Sequence, residues 1–300
     1  DTSVWVDFQV FNSGIISNNL KCVTVDQNNY KWIGTNDKGI MKFDGNNFIS
    51  FNNSNSNIPS NRINTIKVDH NNYIWVGTNN GFGIFNGTGW TNFNKYNSPL
   101  TSDDILSFDF DDQGNAWIGA TSGLFKFDGT NWTLYNDSNY NLWCNDLKIS
   151  PENSIWIATN SGIIEFKNEI LIYYPDSIYS YPTNIVSAID IDQLGNIWSC
   201  HQNTTGKRNG VSIFDGTAFS IRYYGTASNS LNDVYIDNNN QKWISTIEGL
   251  VLVKQDGSAT YFSKSNSLVS SNAITSCCKD LEGNLWITTF GGGLNKLKNQ

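Results

Sequence analysis

Asp111-Asp112-Gln113-Gly114-Asn115-Ala116-Trp117-Ile118-Gly119-Ala120-Thr121-Ser122-Gly123-Leu124-Phe125-Lys126-Phe127-Asp128-Gly129 is the stretch whose reading decides the fold. An Asp opens a tight turn, where its carboxylate can accept backbone hydrogen bonds. Gly114, three residues before Trp117, supplies the left-handed backbone such a turn needs. A short apolar strand follows from the Trp, then a Gly-ended loop, a third strand and an Asp128-Gly129 hairpin signal. Outward from this copy, Trp recurs at 32, 75, 117, 156, 198, 243 and 286, a spacing of 39 to 45 residues. That period suits one four-stranded propeller blade.

The register holds upstream of each Trp. Six residues before it stand Asp26, Asp69, Asp111, Ser150, Asp192, Asp237 and Asp280. Three residues before it stand Asn29, Asn72, Gly114, Asn153, Gly195, Asn240 and Gly283, only the residue types that tolerate a positive φ. A first strand precedes each hairpin, as in Ile63, Ile66 and Val68. Its inward row is small or polar (Cys22, Thr65, Ser107, Asp146, Ala188, Asp233, Ser276), which suits the lining of a narrow axial channel. A fourth strand carries aromatics three apart, such as Phe48 and Phe51 or Trp132 and Tyr135. No stretch has a helical period.

The last unit has only three strands, ending at Leu297, and the missing fourth lies at the other end as Val4-Trp5-Val6-Asp7-Phe8-Gln9-Val10-Phe11. The sequence therefore predicts an all-β, seven-bladed β-propeller of four-stranded blades, residues 1–300 forming a single domain, closed by residues 4–11 completing the sheet of 272–297. Closure of this kind removes long exposed strand edges.

Composition narrows the partners. Formal net charge is −8 and pI about 4.7, with no basic patch, so nucleic acid is not expected. No apolar run is long enough to span a membrane. Cys22, Cys144, Cys200, Cys277 and Cys278 have no zinc-ligand spacing and read as small buried thiols. A bridge from Cys22 to Cys277 or Cys278 is the one pairing that closure brings within reach.

The quoted repeat resembles the two-component regulator propeller repeat, and the seven copies cover nearly the whole chain. That resemblance implies a sensory propeller of the kind found in periplasmic sensor regions of hybrid two-component systems from Bacteroidetes-like bacteria, where propellers help detect glycans. Secreted and surface proteins of the same bacteria also carry such repeats. The chain lacks the transmembrane, kinase and immunoglobulin-like segments of full sensors, so it reads either as part of a larger sensor or as a free-standing secreted propeller. A periplasmic, secreted or cell-surface location follows from the same likeness.

Candidate ligand-binding residues are those that break the repeat on the face holding the strand four-to-one and two-to-three loops, because function lives in such loops rather than in the fold. Thirteen residues before each Trp the row is diverse: Asn19, Arg62, Asp104, Trp143, Ile185, Ser230 and Ala273. Trp143 is a stacking platform for a sugar or other flat ligand. Unit five departs most, with Trp198-Ser199-Cys200-His201 and a longer loop holding Lys207 and Arg208, preceded by Tyr173, Tyr174, Tyr179 and Tyr181. Glu248 occupies the corresponding loop of the next unit, and Phe290-Gly291-Gly292-Gly293 that of the last. The glycines suit close backbone approach or flexibility, and no phosphate-loop context surrounds them.

Two further classes compete with ligand recognition. Streptogramin-type lyases are also seven-bladed propellers with a His base and nearby carboxylate, so His201 with Glu248 is the catalytic alternative. A rigid protein-interaction scaffold is the other. No cofactor motif is present. Asp103, Asp104, Asp146 and Asp233 offer oxygen ligands for a hard cation such as calcium. The leading expectation is an extracytoplasmic propeller that binds an oligosaccharide or a protein.

Overall fold

The computed structural model describes residues 5–136, 142–179, 182–202, 210–224 and 230–299. Seven four-stranded antiparallel sheets are the blades of a β-propeller. Blades one to six run Leu20–Phe51, Ile63–Phe93, Ile105–Tyr135, Cys144–Tyr174, Val186–Arg222 and Leu231–Phe262. Blade seven is Ile274–Leu297 plus the N-terminal strand Trp5–Phe8, paired Trp5 with Leu297 through Phe8 with Leu294. Two compact units divide the chain. Unit one comprises residues 1–105 with 262–300 and unit two residues 106–261.

Each blade is built by a hairpin leading to its Trp, opened by Asp in six blades and by Ser150 in blade four. The turn residue three before the Trp has positive φ in all seven copies, from 56° at Asn240 to 82° at Gly195 and Gly283. The Asp does more than close the turn. One carboxylate oxygen of Asp26 accepts the Asn28 and Tyr30 N–H groups, and the other accepts the indole N–H of Trp32 at 2.9 Å. The same indole bond recurs for Trp75, Trp117, Trp198, Trp243 and Trp286. The Asn choice has its own use: Asn29 and Asn72 accept the N–H of Leu281 and Gln27 in the preceding blade, a bond that Gly cannot make.

Burial opposes ionisation of Asp111, Asp192 and Asp280. Side-chain amide and indole donors outweigh it, helped at Asp111 by Lys126 and at Asp280 by Lys31, and hold all three carboxyls below the ordinary range.

The closing strand is shorter than the expected 4–11, ending at Phe8. There the Gln9 carbonyl accepts Asn12 N–H, Ser13 N–H and the Ser13 hydroxyl, turning the chain. The same turn ends the fourth strands of blades one, two and six, with Asn55, Asn97 and Asn266 capping one end and Ser56, Ser98 and Ser267 the other. The N-terminal segment is thus a fourth strand down to its exit. One helical turn, Asp176–Tyr179, departs from the all-strand expectation; it follows Pro175, whose carbonyl accepts the Ile178 and Tyr179 N–H groups.

All five cysteines are free thiols, so the Cys22 pairing does not form. The Cys22 sulfur instead fills the space over Gly34, where an added Cβ would lie 2.7 Å from it.

Candidate functional site

In unit one Arg62 and Asp104 stand just before first strands, and Phe290 lies in the loop after the second strand of blade seven. Arg62 is exposed, and its neighbour Asn61 accepts the Gly39 N–H at 2.9 Å, which ties blade one's second loop to the start of blade two. Asp104 is half-buried and accepts the Asn64 amide at 2.7 Å. Phe290 is 55% exposed on a rigid loop. Its N–H bonds Ala273, Gly291 and Gly293 both donate to the Asn18 carbonyl, and Ser270 and Ser271 donate to the Gly292 and Phe290 carbonyls. The glycines serve close approach: a Cβ on Gly292 would sit 2.6 Å from that of Ser271.

In unit two Trp143 stands 38% exposed between the buried Leu142 and Cys144, at the start of blade four. His201 is 0% exposed. The Thr183 carbonyl, 2.8 Å from Nδ1, can only accept, so Nδ1 carries a proton. Nε2 lies 2.7 Å from the Ser212 hydroxyl, which donates to it in the neutral ring. The repeat explains this. In five other blades the position is Thr35, Thr78, Thr159, Thr246 or Thr289, each donating to the carbonyl of a loop glycine. His201 replaces that structural Thr and ties the loop before blade five to its second strand. Replacing His201 by Ala strands the Ser212 hydroxyl, and a stability loss of about 1–3 kcal/mol is expected in chemical denaturation. His201→Thr, the residue of the other blades, is expected to lose less.

Glu248 is half-buried in the corresponding loop of blade six, where its N–H bonds the Thr246 hydroxyl and its carbonyl accepts from Tyr261. Ser230 links the two strand ends, bridged to Gln202 and accepting the Ile247 N–H. The His201 imidazole is turned into the sheet interior, toward Thr183 and Ser212. Tyr179 is half-buried and packs against Tyr174 and Phe219 at centroid distances of 5.3 Å. Tyr181, Lys207 and Arg208 lie outside the described residues.

The carboxylates considered for a cation are otherwise engaged. Asp103 pairs with Lys95 at 3.5 Å, and Asp146 accepts the Leu147 and Ile189 N–H groups. Among the described residues no three His, Cys, Asp or Glu side chains converge as a metal set. Nearby Asp190, with Asp109 and Asp146, outweighs burial and keeps Lys148 protonated far above its ordinary range. Burial pushes the Cys144 thiol up to about 12, and the Cys200 thiol well up with help from Asp233, so neither is a ready nucleophile.

Residues 57–80 match the family model described as Two component regulator propeller. This segment is a two-component regulator propeller repeat. It runs through the first strand, hairpin, Trp75 and second strand of blade two, the elements that the Asp, Asn and Trp rows repeat in the other propeller blades. Among solved structures, the extracellular domain of a hybrid two-component system from B. thetaiotaomicron is 20% identical with a TM-score of 0.84, over 99% of this chain and 42% of that one. A streptogramin B lyase is 16% identical with a TM-score of 0.80, over 99% and 97%. PorZ, a surface component of the type-IX secretion system of Porphyromonas gingivalis, is 17% identical with a TM-score of 0.79, over 97% and 48%. The chain thus spans less than half of the sensor and PorZ chains. No curated protein matches it. At these identities the likeness is one of fold. No helix among the described residues is long and apolar enough to cross a membrane.

Proposed function

We propose that this chain is the sensory, extracytoplasmic propeller of a signalling or surface protein, and that it recognises an oligosaccharide or a protein on the face holding Trp143. The observation that carries this is the placement of Trp143. It is an exposed aromatic at the start of an innermost strand, on a backbone fixed by buried neighbours on both sides. A flat apolar face on a rigid element suits ligand stacking. The two-component repeat and the B. thetaiotaomicron extracellular domain support a sensory role and a location outside the cytoplasm.

The lyase reading rests on fold likeness to the streptogramin enzyme and would draw on His201 with Glu248. A general base must reach its substrate. His201 is buried and hydrogen-bonded to Thr183 and Ser212, which favours recognition over turnover.

The test is a thermal-shift screen of the chain against oligosaccharides and candidate protein partners. A ligand at about 100 times its Kd stabilises by about 2.7 kcal/mol. The expected result is a shift for wild type that Trp143→Ala abolishes and His201→Thr keeps. A shift that survives Trp143→Ala would move the site elsewhere.

A further inference from the structure

The innermost strands of the two units differ in charge. In unit one, Leu20–Val25, Ile63–Val68 and Ile274–Lys279 carry Lys21, Lys67 and Lys279 and no carboxylate. In unit two, the corresponding strands carry Asp109, Asp146, Asp190 and Asp233 against Lys148. In a chain of net charge −8, a basic innermost surface in one unit needs a reason.

Lys21 occupies a β-bulge, where the register shifts between Leu20 and Cys22. Four of the equivalent bulge residues reach to the next blade. Asn64 donates to the Ile105 carbonyl, Asn145 to Val186, Ser187 to Leu231 and Thr275 to Leu20. A Lys21 side chain that follows the same direction would lie toward Ile63, the residue after Arg62. Lys38 approaches from the other side, since Gly39 donates to the Asn61 carbonyl next to Arg62. Lys21, Lys38 and Arg62 are all exposed. Among the described residues, none of the three has a carboxylate within ion-pair distance, whereas six other lysines do. Two acids near these loops are engaged, Asp37 by the Ser17 hydroxyl and Asp104 by the Asn64 amide.

We infer that Lys21, Lys38 and Arg62 form an anion site at the junction of blades one and two, which takes a sulfate, phosphate or carboxylate group. Arg62 supplies a planar fork suited to two oxygens of one group, and the two lysines add charge. The site is built from residues of unit one alone and stands whether or not Trp143 binds ligand.

Calorimetry on the full chain tests this with three probes: dextran sulfate, neutral dextran and inorganic phosphate. Dextran sulfate is expected to bind and dextran not to. The affinity should fall at least tenfold in the Lys21→Gln/Lys38→Gln/Arg62→Gln variant and stay unchanged in Lys264→Gln, an exposed lysine elsewhere in unit one. Added salt should weaken binding, because exposed charges are screened within about 10 Å at 0.1 M. Phosphate binding that is lost in the triple variant assigns the site to free anions as well as polymer-borne ones; binding of the polymer alone assigns it to the latter. Equal affinity of the triple variant and Lys264→Gln, or no preference for dextran sulfate over dextran, overturns the site. Far-ultraviolet circular dichroism of each variant separates loss of binding from loss of fold.

Discussion

Deletion of residues 1–11 is expected to destabilise the protein by more than the ~3–5 kcal/mol typical of a single buried Phe-to-Ala truncation. The strand Trp5–Phe8 supplies every backbone partner along the outer side of Leu294–Leu297. Its loss leaves that strand as an open, partly apolar edge, a template for association with other chains. The strand also delivers Phe8, whose ring stacks on Trp286 at 5.7 Å and packs against Phe43 and Phe48 at 5.4 and 5.8 Å, so one side chain joins blade seven to blade one. The Trp5 ring meets Phe262 at 5.8 Å on the same strand's other end. Urea denaturation of the deletion and of Phe8→Ala would measure both losses, with sedimentation reporting association. A deletion that unfolds at the wild-type midpoint would show that the strand contributes nothing to closure.

Asp280→Ala is expected to cost about 3–5 kcal/mol, the penalty for leaving one member of a buried ion pair without its partner. Lys31 of blade one reaches Asp280 of blade seven at 3.4 Å, with both side chains nearly excluded from solvent. The same carboxylate accepts the Trp286 indole at 2.8 Å, the Glu282 and Asn284 N–H groups and the Asn284 amide. Removing it strands a cation, an indole donor and the hairpin at once. Asp280→Asn keeps one accepting oxygen, enough for the turn N–H groups, and loses the charge and the indole acceptor, so its loss should be smaller than that of Asp280→Ala. Equal loss in the two variants would assign the effect to the charge and the indole acceptor rather than to the turn, and a loss under about 1 kcal/mol in Asp280→Ala would rule out the pair as a strut.

Acid pH tests the same rows together. The folded-state pKa values of Asp111, Asp192 and Asp280 are lowered, so the unfolded chain takes up their protons first as pH falls. Their stabilisation is full above the unfolded carboxylate range, near pH 4, and drains away as pH falls through the lower folded values. Stability measured from pH 6 to pH 2 should be flat in this contribution down to about pH 4 and fall below it. A curve that already falls between pH 6 and 5 would point to a different titrating group.

The propeller was legible in the sequence because its signals are local. A hairpin needs a residue that tolerates positive φ, and each of the seven copies names one at a fixed distance from its Trp. The missing strand of blade seven could be found because a sheet short of a strand leaves unpaired backbone, and the N-terminus held the segment of matching pattern. The Asp row was visible, but its grip on the indole was not, since that bond joins two strands across the turn.

The site was less legible because side-chain direction and burial are tertiary facts. His201 looked like a reactive group on an unusual strand, yet the Thr column of the other blades already marked its position as structural. Tyr179 lay in an aromatic loop, and only the packing of Tyr174 and Phe219 shows that it is half-buried against the core. Lys21, Lys38 and Arg62 are far from one another in any pattern of periods. Their proposed junction draws on a bulge at Lys21 and on the Gly39 N–H that the Asn61 carbonyl accepts, both tertiary facts. The sequence by itself determined the blade, the number of blades and how the last one is completed, because these follow from short-range backbone preference repeated seven times. Tertiary structure alone decided which of the unusual residues face solvent, because that depends on neighbouring blades whose contacts no single repeat encodes.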